Sequence, residues 1–172
     1  MFAIVKDGAV IQDAPTAQRL FSYTVPAGSK SMPEFMISRN VFEVVDGERK
    51  DSQYYFVTPE DIIVIDGIVT QQYTNTAKEM GDNVATDADG NEVTTKGLKT
   101  QKTDEVKQLA NNLLGKTDWM VIRKVERDVA IPDATATYRA AVITECARLE
   151  AAIAGAADVD ALAVVMNAQN WP

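Results

Sequence analysis

Any catalysis by this chain would have to use carboxylates, lysine or tyrosine, because the sequence contains no histidine. Histidine is the commonest general base and a usual zinc ligand, so its absence removes most Ser and Cys nucleophile systems and most transition-metal sites. Two close acid pairs, Glu60 with Asp61 and Asp158 with Asp160, are of the type that glycosidases use. Glu60 and Asp61 are adjacent in the chain and therefore do not share a face, and the pair Asp158 and Asp160 is better suited to helix capping. We therefore expect no catalytic residues and no enzymatic activity.

A second candidate is the acidic run DADGNE at residues 87–92. Carboxylates that alternate before a glycine are typical of a helix–loop–helix calcium site. With Gly90 as the sixth loop position, the first would be Ala85 and the twelfth Lys96, so both end ligands are missing. The sequence favours an acidic hairpin turn, and neither a metal nor another cofactor is expected.

The single cysteine, Cys146, cannot close a disulfide within the chain, which is compatible with a reducing cytoplasm. It lies in an alanine-rich segment and has no histidine to activate it. We interpret it as a buried small apolar residue rather than a reactive thiol.

The bulk composition excludes further classes of protein. A length of 172 residues suits one compact unit or two small ones, and 46% apolar with 24% charged residues is typical of a globular chain. A formal charge of −8, from 25 acids against 17 bases, disfavours nucleic acid as a partner. No apolar run approaches the roughly 20 residues that span a bilayer, so we expect a soluble, unprocessed chain without membrane insertion.

The N-terminal part has the pattern of short strands joined by tight turns. Asp7-Gly8 and Asp66-Gly67 each lie between apolar runs, which predicts two hairpins with type I′ turns. Asp46-Gly47 predicts a third turn after a strand at residues 41–45, with residues 53–57 as its return strand. Proline and glycine predict a loop at residues 25–33.

The C-terminal part has helical periodicity. A helix is predicted from Lys102 to Gly115, a second from Trp119 towards Asp128 with Thr117 or Asp118 as its cap, and a third over residues 133–154. A short fourth helix is predicted after a cap at Asp158 or Asp160. On the third helix an apolar stripe suits packing against another helix of the same or a sister chain: Tyr138, Val142, Cys146 or its neighbour Glu145, Leu149 and Ile153.

These elements predict an α+β fold, with a small antiparallel β-rich N-terminal domain followed by a helical hairpin or bundle. Residues 1–80 are assigned to a β-rich docking domain and residues 101–172 to the helical domain. Residues 81–100, which are polar and acidic, are assigned to a linker. An alternative role for the first domain comes from Tyr54, Tyr55, Phe56 and Tyr73, aromatic residues of the kind that stack on sugars. Strand alternation sends Tyr55 to the other face, so part of this set belongs to the core.

Short segments near the C-terminus carry a family resemblance: LLGKTDWMVIR at 113–123, Pro132, TYRAAV at 137–142 and NWP at 170–172. Together they resemble the C-terminal module of bacteriophage tail assembly chaperones and tail-fibre assembly proteins. In that family a Leu-Leu, Thr/Ser-Asp-Trp element precedes a Tyr-Arg helix, and the chain ends near Trp-Pro. The resemblance covers residues 100–172. The chain departs from the pattern at Ile143 and Thr144, where a second basic residue is expected, and in the insertion at 81–97.

The resemblance implies a non-enzymatic phage tail protein that acts by docking. Such a protein would be a structural or fibre- or baseplate-attachment component of the virion tail, assembled in the host cytoplasm. Its partners would be other tail, baseplate or fibre proteins and further copies of itself in a symmetric homo-oligomer. The alternatives are a transient tail or tail-fibre assembly chaperone and, in another class, a host-receptor module that binds glycans.

The residues expected to contact protein partners lie in the C-terminal region: Trp119, Tyr138, Arg139, Leu149, Ile153 and Trp171. Tryptophan and arginine supply much of the binding energy at protein interfaces, and tyrosine joins them there. The alternative is that Trp119 and Trp171 only close the helical core.

Overall fold

The computed structural model describes residues 1–14 and 39–172. Over these residues all the strands precede all the helices along the chain, so the predicted α+β class is confirmed. The chain divides into two compact units, Met1–Thr76 and Ala77–Pro172. The loop predicted at residues 25–33 lies outside the described residues.

The first sheet of the N-terminal unit is antiparallel and contains β1 (Phe2–Lys6), β2 (Ala9–Ala14) and β3 (Val41–Glu43). Its strand order is β2-β1-β3. Asp7 and Gly8 both have positive φ, as a type I′ turn requires, so the first predicted hairpin is confirmed. The buried residues of this sheet are Ala3, Ala14 and Val41. The half-buried Phe2 and Ile4 pack against Ala14 and Val41.

The second sheet has the order β4-β6-β5 and contains β4 (Val45–Asp46), β5 (Tyr55–Ile65) and β6 (Ile68–Ala77). Asp66 and Gly67, with φ of 50° and 80°, form the turn between β5 and β6, which confirms the second hairpin. β4 pairs with β6 in the parallel direction, so the strands of this unit are mixed rather than purely antiparallel.

The third predicted turn, at Asp46-Gly47, is wrong. The chain does not fold back there, because Gly47 lies against β6: its N–H donates to the carbonyl oxygen of Gln71 at 3.0 Å. A Cβ at position 47 would lie only 2.7 Å from that same oxygen, so glycine is required for the close approach. The preceding strand, β3, pairs with β1 rather than with residues 53–57.

The segment predicted as a linker, residues 81–100, is structured. It contains the antiparallel hairpin of β7 (Asn83–Thr86) and β8 (Glu92–Thr95) and the start of the first helix. Both strands are exposed along their whole length. The hairpin forms because the turn between its strands is fixed locally by Asp87 and by Gly90, which has φ of 85°.

Four helices follow within the described residues: α1 (Leu98–Gly115), α2 (Asp118–Arg127), α3 (Asp133–Gly155) and α4 (Val159–Asn167). α1 begins four residues earlier than predicted, because Leu98 is buried and its N–H donates to the carbonyl oxygen of Glu79. The other three helices lie close to their predicted ranges. None of the helices in the described part of the chain is long and apolar enough to cross a membrane.

The core of the C-terminal unit lies where α3 packs against α1 and α4. α3 contributes Val142, Leu149 and Ile153, which are almost completely buried. Its partners from the other elements are also buried: Leu98, Val106 and Ala110 on α1, and Val159 and Leu162 on α4. The sequence left open whether Cys146 or Glu145 belongs to the apolar stripe of α3; in the structure Glu145 is buried and Cys146 is half-buried.

Candidate functional site

Arg139 on α3 joins the short segments that carry the family resemblance. Its Nη1 donates to the carbonyl oxygen of Leu114 at 2.9 Å, to Oγ1 of Thr117 at 2.7 Å and to the Asp118 carboxylate at 2.8 Å. Thr117 precedes α2 but its side chain makes no capping bond to the helix. The side chains of Thr117 and Asp118 at the start of this helix are instead bound by Arg139. Arg139 therefore fixes where α2 begins. It positions the helix and is not itself an exposed contact, since only 18% of its side chain is accessible.

α2 presents an exposed apolar face, the α2 face, made of Trp119, Ile122 and Val125. Steps of three residues keep these side chains on one side of the helix. α2 has no buried residue, and Val125 is 81% exposed. A helix in water is stabilised mostly by burying its apolar side, so this face is the strongest candidate for contact with another protein.

Arg123 lies beside the α2 face. Its guanidinium stacks over the Trp119 ring at 4.9 Å from the centroid, which is a cation–π contact. The Nε atom of Arg123 is buried and has no acceptor among the described residues. The stacking holds the indole in place while leaving half of its surface exposed.

The other predicted contact residues of α3 have different surroundings. Leu149 and Ile153 belong to the core of the chain and are 0% and 1% exposed, so in this fold they pack within the chain. Tyr138 is half-buried and borders a pocket of about 370 Å³ near Thr117. Only Tyr138 among these three has surface that a partner can reach.

The C-terminal tail is attached to α3 through Glu145, which the sequence stripe placed only as an alternative to Cys146. The buried Glu145 carboxylate accepts bonds from Nε and Nη2 of Arg148 at 2.7 and 2.6 Å and from the N–H of Asn170 at 2.7 Å. Trp171 is half-buried, and its indole N–H donates to Gln169. The spacing of three between Glu145 and Arg148 on a helix was the available sequence signal.

We predict that Glu145→Gln destabilises the chain by about 1–2 kcal/mol, because the amide cannot replace all the charge-assisted bonds. The Arg148 guanidinium and the Asn170 amide hold the pKa of the Glu145 carboxyl below its ordinary value of 4.5, against the opposing effect of burial. A lowered carboxyl pKa gives stability that is complete above pH 4.5 and is lost as the pH falls through the folded-state value. Urea unfolding as a function of pH measures both effects.

Whether Glu145→Gln releases the C-terminal tail can be measured by the fluorescence of Trp171. The measurement is made in a Trp119→Phe background, where Trp171 is the one remaining tryptophan. Release of the tail would shift its emission to longer wavelength. Unchanged emission, with the same loss of stability towards acid as the parent, would contradict the assigned role of Glu145.

A groove runs between α1 and α3, with a cavity of about 350 Å³. Ala110 of α1 and Ala147 of α3 contribute small side chains that leave space in it, and Leu114 and the exposed Ile143 also line it. One end is closed by the ion pair of Lys107 and Glu150 at 3.2 Å. This α1–α3 groove is the second apolar surface of the helical unit.

Cys146 also lines the α1–α3 groove. Its thiol donates to Glu150 at 3.3 Å, and burial, together with that carboxylate, raises its pKa above the ordinary value. A raised pKa reduces the thiolate fraction and so the reactivity of the thiol, but Cys146 is half-buried rather than buried as the sequence predicted.

The acidic residues singled out from the sequence serve local structure. The Asp87 carboxylate accepts the backbone N–H groups of Asn91 and Asp89 at 2.8 and 2.9 Å, and these bonds, led by that of Asn91, lower its pKa. Asp158 caps α4 by accepting the N–H of Ala161. Glu60 and Asp61 lie within β5, an edge strand, where the preceding proline is tolerated.

No group of three or more acidic or cysteine side chains is placed to hold a metal ion in the part of the chain that the structure describes.

The four aromatic residues of the N-terminal unit that could stack on sugars are not gathered on one exposed surface. Tyr54 and Tyr55 are buried, Phe56 is exposed, and the hydroxyl of Tyr73 donates to Asp46 at 2.7 Å.

Comparison with known proteins found no family model, no curated protein and no solved structure that matches this chain. The family resemblance therefore depends on the C-terminal residues quoted above. The geometry adds that Arg139 joins two of those segments, at Thr117-Asp118 and at Tyr138-Arg139.

Proposed function

We propose that this chain is a non-enzymatic bacteriophage tail protein that acts by docking to other proteins through the α2 face. The observation that carries the proposal is a ten-residue helix that has no buried side chain and exposes Trp119, Ile122 and Val125. Tryptophan is enriched at the centres of protein interfaces, and the aliphatic side chains beside it add apolar area.

The arrangement of the resemblance segments supports the same proposal. In the family pattern, Leu-Leu and Thr-Asp-Trp precede a Tyr-Arg helix, and here Arg139 bonds to Leu114, Thr117 and Asp118. This bonding explains why the segments would occur together, since the arginine sets the start of the helix that presents the tryptophan. The motif therefore positions a contact surface and includes no reactive group.

The N-terminal unit offers a second means of docking. The edge strands β2 and β5 border a cleft of about 510 Å³ whose lining includes Val10, Gln12 and Ile63. Edge strands leave backbone N–H and C=O groups that an added strand can pair with. We assign this unit to attachment within the tail and the helical unit to contact with a neighbouring subunit or fibre.

The test is mass spectrometry of density-banded particles of the phage that encodes the chain, compared with lysate of infected cells. Peptides in the particles at a fixed ratio to the major tail proteins would support a virion component at the tail, baseplate or fibre attachment. Abundance in lysate with absence from particles would contradict the virion role and favour the transient assembly chaperone. Absence from both would contradict the tail assignment itself.

A further inference from the structure

We propose that the β7–β8 hairpin of one copy of this chain pairs with the same hairpin of a second copy, strand β8 against strand β8, in an antiparallel four-stranded sheet. The order of the sheet is then β7-β8-β8-β7, with a two-fold axis between the two copies of β8. This surface is separate from the α2 face, so the inference goes beyond the proposed function and does not depend on it.

The hairpin lacks the packing that usually stabilises so small a sheet. Every residue of β7 and β8 is exposed, and in the part of the chain that the structure describes these two strands form a sheet of their own. Val93 on β8 is 47% exposed. A two-stranded hairpin is marginally stable in water unless further strands or a packed face support it. Strands added at β8 would supply that support and cover Val93 in part.

The free edge of β8 presents backbone groups that can pair. The N–H of Asp87 donates to the carbonyl oxygen of Asn91 at 2.9 Å, and the register between the two strands is regular from there. Hydrogen-bonded and non-hydrogen-bonded pairs alternate along an antiparallel ladder, so the N–H and C=O groups of Glu92 and Thr94 point away from β7. A second β8 can therefore pair at this edge without breaking the bonds within the hairpin.

Symmetry and charge together select the register. Opposite residues lie on one face of a sheet, and the two-fold axis keeps each side chain on its own face, so one residue of β8 must lie opposite its own copy. The two middle residues of β8, Val93 and Thr94, are the candidates. With Val93 at the axis, Glu92 lies opposite Thr94 of the second copy. With Thr94 at the axis, Glu92 lies opposite Lys96 of the second copy on each side, and this match of opposite charges favours the register.

Glu92 and Lys96 are both available for this contact. Glu92 makes no ion pair among the described residues. The side chain of Lys96 is 59% exposed, and its ion pair with Asp104 at 2.7 Å is an exposed one, which contributes little by itself and leaves room for a second carboxylate. The carbonyl oxygen of Lys96 accepts a bond from Nε2 of Gln101 at 2.6 Å, so its N–H is the group that pairs with Glu92 of the second copy.

Disulfide formation in the purified chain tests the pairing, because it captures a contact as short as this one. In a Cys146→Ser background, Thr94→Cys places the two thiols at the axis, where opposite Cα atoms lie about 5.5 Å apart and a disulfide can close. Thr86→Cys is the control, since it makes the same change on β7, at the outer edge of the proposed sheet. With oxidised glutathione, we expect at least about tenfold more covalent dimer from Thr94→Cys than from Thr86→Cys. Circular dichroism establishes that each variant is folded.

Charge reversal in the Thr94→Cys chain tests the register. Glu92→Lys or Lys96→Glu alone places like charges opposite each other, so the yield of dimer should fall at least about fivefold. A mixture of the two reversed chains, and a chain with both reversals, again place opposite charges across the axis and should restore the yield. A defect caused by losing the ion pair of Lys96 with Asp104 would not be restored by mixing. Glu126→Lys on α2 makes the same change in net charge away from the hairpin and should leave the yield unchanged.

Equal yields of dimer from Thr94→Cys and Thr86→Cys would overturn the proposal and point to a strand of another protein as the partner of the hairpin. A Thr94→Cys dimer that is insensitive to charge reversal would overturn the register and, with it, the argument for a second copy. Neither result bears on the presence of the chain in purified particles, so failure of this contact is distinguished from failure of the tail assignment.

Discussion

Leu149→Ala is expected to destabilise the helical unit by about 3 kcal/mol, within the range of about 2–5 kcal/mol for buried leucines. Leu149 is 0% exposed and lies in the core that α3 forms with the neighbouring helices. Truncation to alanine removes apolar contacts and leaves a cavity that well-packed helices close only in part. Urea unfolding followed by the far-ultraviolet signal of the helices measures the loss.

The control for Leu149→Ala is Leu109→Ala on α1, which makes the same chemical change at a side chain that is 37% exposed. Its cost should stay below about 1 kcal/mol, since less apolar surface returns to water. Equal losses in the two variants would contradict the placement of Leu149 in the core. Such a result would reopen its interpretation as a contact residue for other proteins.

The turns were predictable because their chemistry is local. Asp7-Gly8 and Asp66-Gly67 adopt the positive φ values of a type I′ turn, which few other residue pairs accept without strain. The same local reasoning failed at Asp46-Gly47, where glycine is required by a tertiary contact and not by a turn. Gly47 lets the backbone approach Gln71 on a strand more than twenty residues away, and no local signal in the sequence encodes that contact.

The helices were predictable from periodicity, but their surroundings were not. Spacing placed Leu149 and Ile153 on one face of α3 and left open whether that face meets its own chain or another. The structure buries both within the chain. For α2 the periodicity of Trp119, Ile122 and Val125 equally suits a core, and only the exposure of all three in the folded chain identifies them as a surface.

Arg139 illustrates the same limit in the candidate site. The sequence marks it as a polar residue on an apolar helix, which fits either an interface or an internal bond. Its three bonds reach residues 21 to 25 positions earlier in the chain, so its role depends on how α3 packs against α1. Side-chain bonds across such separations require the tertiary structure, whereas the helix caps and turns do not.

Gly97→Ala is expected to be the most disruptive small substitution at the junction between the β7–β8 hairpin and α1. A Cβ at position 97 would overlap the carbonyl group of Gly81 and lie 2.7 Å from the carbonyl oxygen of Met80. The φ of −75° and ψ of 173° are accessible to alanine, so the cost comes from the clash and not from the conformation of residue 97. Since backbone rather than a flexible side chain obstructs the methyl group, we expect a loss of about 3 kcal/mol.

The clash would also break the bonds that attach the hairpin base to α1. The N–H of Gly97 donates to Asp82 at 2.8 Å, and those of Leu98 and Lys99 donate to Glu79 and Met80. Gly81→Ala is the matched control, because a Cβ at position 81 meets nothing within 4 Å. Its stability should stay within about 0.5 kcal/mol of the parent in the same urea titration. A Gly97→Ala variant as stable as Gly81→Ala would show that these backbones do not touch, and the hairpin would then be free to move independently of α1.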